Sequence, residues 1–234
     1  MGVQELVELA RPLLTPSEDI SNVTGFRVSE STWIPREEER KEPLRSLLLR
    51  MHNVLGLPPD HGEKLQVVRY GRGGRYNLHP DSVPSKGAPR THTLLAYLNT
   101  PAAGGDTIFP HVASPPGMDG GALRTEAPSG FRSHRDDEKL RADFAELCEQ
   151  GGAHEMLRVA PKKGDALLFM PMHPWMEIDA RVRAHGRSLR SGSHLRLQAV
   201  PCPQALHGSC PIDDGEKWVV NRWGRPVWDP NWDA

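Results

Sequence analysis

The sequence predicts a mainly β protein with flanking helices, folded as a jelly-roll. Two observations carry that reading. The chain changes character near residue 60, with helical periodicity before it and short runs rich in β-branched and aromatic residues after it. Glycine, proline and asparagine turns then separate those runs, as in folds that wind many short strands into facing sheets. A chain of 234 residues can bury one sizeable core. All of 1–234 is therefore read as a single domain, with helical support over 1–60 and a jelly-roll core over 65–223.

Taken in order, VQELVELARPLL places apolar residues at helical spacing until Pro12. A second helix is expected over 35–57, opening with acids and stopping at Gly56 and Pro58. Strands are expected over 65–70, 91–98, 107–109, 156–159, 166–170, 195–200 and 217–223. Two insertions, about 113–150 and 171–203, break the β pattern. The first is rich in proline, glycine and serine up to residue 130, then reads as a helix over 134–150 with Leu140, Phe144 and Leu147 on one face. The second carries Arg181, Arg183, Arg187, Arg190 and Arg196, with no acid after Asp179. Such a stretch beside a binding site could attract an acidic peptide or a phosphate, although charge runs are more often solvated faces.

Composition excludes several classes of partner. The formal charge of −1 provides no global field for nucleic acid or an anionic membrane, so neither contact is expected. No run approaches the roughly 20 apolar residues of a membrane span, and the first residues lack a basic head followed by an apolar signal core. The triplet Asn22-Val23-Thr24 is a glycosylation acceptor that matters only in a lumen. Three cysteines without a Cys-x-x-Cys disfavour a thiolate zinc site.

The chemistry concentrates in YGRGGRYNLHPD and LHGSCPIDDGEKW. His79 and Asp81 stand two apart, a spacing that turns both side chains to one face of a strand. With His207 they make a facial triad, which fills three positions of an octahedral Fe(II) and leaves three open. Lys217 follows, placed to hold a bound acid, and a buried lysine needs such a partner. Of the remaining histidines, His185 and His194 are the nearest competitors for the third ligand position.

From Leu65 to Trp223 the chain resembles the prolyl 4-hydroxylase family of Fe(II)/2-oxoglutarate dioxygenases, most closely the plant and algal type. The resemblance rests on LQVVRYGRGGRYNLHPD, PRTHTLLAYLNTPAAGGDTIFP, VAPKKGDALLFM and LHGSCPIDDGEKWVVNRW, which run in the family's order, with a weaker match at SNVTGFRVSESTWI. It implies the double-stranded β-helix (jelly-roll, cupin-like) dioxygenase fold and a procollagen-proline 4-dioxygenase-like activity. That reaction hydroxylates peptidyl proline with Fe(II), 2-oxoglutarate and O2, releasing succinate and CO2, and L-ascorbate restores oxidised iron. Carried over by position, His79, Asp81 and His207 would hold the metal. Lys217 would pair with the far carboxylate of 2-oxoglutarate, Tyr70 and Thr107 would add hydroxyl hydrogen bonds, and Arg90 and Trp223 would lie beside a proline-containing peptide or protein.

The resemblance also implies the lumen of the endoplasmic reticulum or Golgi, which makes the chain either a catalytic piece or a departure from that pattern. Cys148 and Cys210 stand where the family places cysteines, but Cys202 could pair instead, or all three could remain thiols. Pro80 inside His-x-Asp, the segment SVPSKGAP after it, and Gly224-Arg225 after Trp223 depart from the family pattern. The alternatives are a dioxygenase of the same fold acting on another residue or a small molecule, or a catalytically silent peptide-binding protein.

Overall fold

The structure is a computed structural model that describes residues 3–18, 24–81, 90–110, 141–149, 156–170, 196–200 and 206–226. The Pro/Gly/Ser-rich loop, Leu140, Asn22, Cys202, His185, His194 and most of the arginine-rich insertion lie outside them.

Helix α1 (Val3–Ala10) buries Leu6, Val7 and Ala10 and gives way to a 3-10 turn at Pro12. The single helix expected over 35–57 is two: α2 (Arg36–Glu39) and α3 (Leu44–Leu55). Pro43 accounts for the break, because it has no amide hydrogen and its ring obstructs the carbonyl one turn back. Gly56 ends α3 in the left-handed conformation at φ 67°, which glycine adopts without a side-chain clash. In the first insertion the described helix is α4 (Phe144–Glu149), with Phe144 and Leu147 buried.

Strands are numbered in chain order. The larger sheet runs β1 (Thr15–Pro16), β3 (Glu30–Trp33), β4 (Gln66–Tyr70), β14 (Lys217–Gly224), β6 (His92–Tyr97), β10 (Asp165–Phe169) and β11 (Arg196–Val200). The smaller runs β2 (Arg27–Val28), β5 (Arg75–His79), β12 (His207–Ser209), β8 (Thr107–Phe109) and β9 (Leu157–Val159). A two-stranded ribbon joins β7 (Ala103–Gly104) to β13 (Ile212–Asp214). Pairing is antiparallel apart from β10 with β11. Val68, Leu95, Tyr97, Leu167, Phe169 and Val219 of the large sheet pack with Phe109, Leu157 and Val159 of the small one. Two facing sheets closed around that layer make the double-stranded β-helix, or jelly-roll.

The N-terminal helices cover the outer face of the large sheet, where Leu6, Leu48, Met51 and Leu55 meet Val67, Leu94, Trp218 and Val220. Each such aliphatic or aromatic side chain contributes about 1.5–3 kcal/mol on burial. Among the described residues no helix is long and apolar enough to cross a membrane.

One polar cluster is buried under this layer. Arg222, 1% exposed, donates from Nε to His52 Nε2 at 3.0 Å, and through its other nitrogens to Glu39 and to the carbonyls of Glu63 and Pro59. Glu39 also accepts the Leu65 amide at 2.6 Å and Arg36 at 2.7 Å. The network makes His52 neutral, with Nδ1 donating to Leu57 O at 3.3 Å and Nε2 accepting. Burial, reinforced by the Arg222 charge, lowers its pKa to about 4. The unfolded chain therefore takes up this proton below about pH 6.5 while the native chain resists it until about pH 4. Stability from this site is present above pH 6.5 and declines by up to about 3 kcal/mol between pH 6.5 and 4. Urea denaturation across that range should show the decline, and it should shrink in His52→Gln.

Candidate active site

Strand β5 ends at His79, and Asp81 sits in the bend that follows. The expectation that both residues lie on one strand is thus corrected. Pro80 has no amide hydrogen to continue the ladder, so pairing stops there and the turn delivers the carboxylate. His207 opens β12 directly opposite His79 in the antiparallel register. The three ligand-capable atoms lie within 4.8 Å of one another. Asp81 Oδ1 is 3.8 Å from the Nε2 atoms of both His79 and His207. Two bonds of about 2.0–2.2 Å to one divalent ion span such a gap.

The donor set is oriented for a metal. His79 Nδ1 lies 2.7 Å from Asn77 O, so it carries the proton and leaves the Nε2 lone pair facing Asp81. Tyr76 stacks on the His79 ring at 3.5 Å, and Phe169 meets the His207 ring edge-on at 4.7 Å. Asp81 Oδ2 accepts from Thr93 Oγ1 at 2.7 Å and Trp223 Nε1 at 3.0 Å. Burial, then the neighbouring His207, holds the His79 pKa well below the usual imidazole range. Burial alone would raise the Asp81 carboxyl, but His207, His79, Arg90 and the Trp223 N–H together lower it to about 2. A neutral imidazole and an ionised carboxylate are the forms that bind a cation.

The triad opens into a cavity of about 590 Å³, whose lining includes Tyr70, Thr107, Ser209 and Lys217. Lys217, 1% exposed, donates to Gly105 O at 2.6 Å and Ser209 Oγ at 2.8 Å. Both acceptors are neutral. Gly105 takes φ 79°, and a Cβ there would stand 2.4 Å from Ile212, so glycine is what allows its carbonyl to reach the lysine. Tyr70, opposite Lys217 in the register, puts its ring 5.3 Å from Nζ. Thr107 lies on β8 and accepts from Tyr97 OH at 2.8 Å. Burial lowers the Lys217 pKa to about 7, opposed in part by Asp106, and raises that of Tyr70 to about 12.

Arg90 and Trp223 also line the cavity. The Arg90 guanidinium lies 3.8 Å over the Trp223 ring and is held by Glu63 through bonds of 2.7 and 2.8 Å. Trp223 meets the half-exposed Trp33 at 5.5 Å. Cys210 is bonded to Cys148, which ties α4 to the segment that carries His207. All eight residues singled out from the sequence come together here. Ser209, Tyr97, Thr93, Tyr76 and Glu63 were not singled out. The signal for three of them was two-residue alternation, from His207 to Ser209 and along Thr93, Leu95 and Tyr97.

Residues 65–225 match the sequence model of the 2OG-Fe(II) oxygenase superfamily. The chain belongs to that superfamily. The superfamily is named for Fe(II) and 2-oxoglutarate, and the donor set described above fits such a metal. The chain is 29% identical over 230 residues to probable prolyl 4-hydroxylase 4 of Arabidopsis thaliana, covering 93% of this chain and 61% of that one. It is also 29% identical over 209 residues to prolyl 4-hydroxylase 2 of the same plant, covering 87% and 54%. It thus spans little more than half the length of these relatives. In fold it is similar to the viral collagen prolyl hydroxylase of Paramecium Bursaria Chlorella virus-1, with a TM-score of 0.52, 20% identity and coverage of 96% and 90%.

An acid held by Lys217 would pair with its charged form, and burial lowers the pKa of this lysine to about 7. Affinity for 2-oxoglutarate should be level below that pH and fall by up to about tenfold per unit above it, as expected when binding selects the protonated form. Calorimetric titration of the metal-loaded protein without O2 measures this. Lys217→Ala should abolish the pH dependence and weaken 2-oxoglutarate binding more than metal binding.

Proposed function

We propose that this chain hydroxylates peptidyl proline at C4, converting one 2-oxoglutarate and one O2 to succinate and CO2 for each hydroxyl formed. The observation that carries the reading is a largely buried His-Asp-His triad and a buried lysine whose hydrogen-bond acceptors among the described residues are neutral, in one cavity of a chain similar to plant prolyl 4-hydroxylases. His79, Asp81 and His207 would hold Fe(II). Lys217 would pair with the far carboxylate of 2-oxoglutarate, with Tyr70 and Thr107 beside it. Bound Fe(II) with O2 and 2-oxoglutarate supplies the oxidation of an unactivated C–H bond, which side chains cannot achieve by acid–base chemistry. The protein's part is to orient the substrate carbon and exclude water.

A peptide substrate is supported by the mouth of the cavity, where Trp33, 41% exposed, leans on Trp223 beside Arg90. Aromatic grooves accept the preformed polyproline II shape of proline-rich segments. L-ascorbate would restore iron oxidised in uncoupled turnovers. The Cys148–Cys210 bond supports an oxidising compartment, and we place the protein in the secretory-pathway lumen on that ground.

The test is turnover of purified protein with Fe(II), 2-oxoglutarate, ascorbate and a panel of proline-rich peptides. Succinate and a peptide mass gain of about 16 Da, one oxygen atom, should appear together, and His207→Ala should remove both because the metal loses a ligand. Succinate without peptide oxidation would keep the metal centre and reject the substrate. Neither product from iron-loaded protein would favour a silent peptide-binding role.

A further inference from the structure

An ionised carboxylate has two oxygens and can take a metal through one or both. Which it does decides how many positions remain for the reactants. Asp81 is arranged asymmetrically. Its Oδ1 faces the two imidazoles at 3.8 Å, while Oδ2 accepts the Thr93 hydroxyl at 2.7 Å and the Trp223 indole N–H at 3.0 Å. Both donors are buried, Thr93 at 1% exposure and Trp223 at 5%.

Trp223 is itself held from three sides. Its carbonyl accepts the Glu63 amide at 3.0 Å, Trp33 packs against its ring, and the Arg90 guanidinium lies across it. Arg90 is fixed in turn by a two-pronged contact with the Glu63 carboxylate, which is 7% exposed and also receives Arg225 at 2.8 Å. Arg90 reaches further, from Nη1 to the backbone carbonyl of Asp81 at 3.4 Å. A column thus runs from Glu63 through Arg90 and Trp223 to the outer oxygen of Asp81. An arginine placed only to meet substrate would not require a buried glutamate gripping both prongs. Such a clamp suits a guanidinium that keeps an indole in one plane.

We propose that Trp223 and Thr93 are positioning residues that confine Asp81 to metal binding through Oδ1 alone, and that Glu63 acts on the same carboxylate through Arg90 and Trp223. This assigns Trp223 and Arg90 a role in shaping the metal site, separate from any contact with peptide. The inference rests on the triad's being a metal site. Binding of Co(II) to the wild type and its loss in His207→Ala test that reading independently.

The experiment compares Co(II) affinity and the visible absorption of bound Co(II) in wild type, Trp223→Phe, Thr93→Val, Glu63→Gln and the double variant Glu63→Gln/Trp223→Phe, with thermal unfolding of each metal-free protein as a fold control. Loss of a partner behind a metal ligand typically weakens binding by about 10–100-fold. Trp223→Phe and Thr93→Val should each weaken Co(II) by about tenfold and change its absorption, since a freed Oδ2 alters the coordination number. Glu63→Gln should weaken it less, about threefold, and add nothing once Trp223 is Phe. Wild-type affinity and an unchanged spectrum in both Trp223→Phe and Thr93→Val would overturn the proposal. So would variants that lose only thermal stability, because a purely structural role lowers the midpoint without touching the Co(II) spectrum. Equal Glu63→Gln effects with Trp or Phe at 223 would remove Glu63 from the scheme.

Discussion

The register of β14 between β4 and β6 is the constraint on which the site depends. Lys217 pairs with Tyr70 on one side, and Trp223 pairs with Thr93 on the other. Those pairings bring the lysine and its aromatic neighbour to one end of the cavity and both donors to Asp81 Oδ2 to the other. Because side chains alternate along a strand, a slip of one residue would send Lys217 and Trp223 to the helix-covered face and Trp218 and Arg222 into the cavity. No side-chain rearrangement could repair that exchange. Apolar packing on the outer face, where Trp218 and Val220 meet the helical layer, therefore determines what faces the inner one.

The same strand buries two cations and treats them differently. Arg222 and Lys217 are each 1% exposed. Arg222 meets Glu39, His52 and two carbonyls, so its charge is compensated within the protein. Lys217 has a carbonyl and a hydroxyl. A buried ammonium with neutral acceptors is held at a cost of several kcal/mol unless it loses its proton or gains an anion, which accounts for its lowered pKa. One cation braces the scaffold and the other faces the cavity, on opposite faces of eight residues.

Departures from the family pattern fall into this frame. Pro80 shortens β5 by removing a ladder donor, and the resulting bend turns Asp81 toward Thr93 and Trp223. Gly224 lets the end of β14 lie against Leu57, where a Cβ would come within 2.4 Å. Arg225 joins Arg90 on the single carboxylate of Glu63, so that the far end of the cavity is cross-braced by ion pairs with little exposure to water. Such pairs are screened less by salt than surface ones.

Much of this was legible without coordinates. Two-residue alternation and turn residues pointed to short strands wound as a jelly-roll, His79, Asp81, His207 and Lys217 stood out by type and spacing, and the family resemblance added Tyr70, Thr107, Arg90 and Trp223. Strand β5 was legible only through the His-x-Asp spacing, since RYNLH carries little apolar signal and owes its extended form to pairing with β2 and β12. Nor was the choice of Cys148 as partner of Cys210, which depends on α4 packing beside β12. Glu63 could not be singled out either, because a glutamate before a strand is commonplace, and Thr93 had only its alternation with Leu95 and Tyr97 to mark it. The sequence by itself determined the chemical types available and the face each would take, because periodicity and turn chemistry are local. Tertiary structure alone decided which of them share Asp81 and which give Lys217 neutral acceptors, because those contacts join strands far apart in the chain and depend on register.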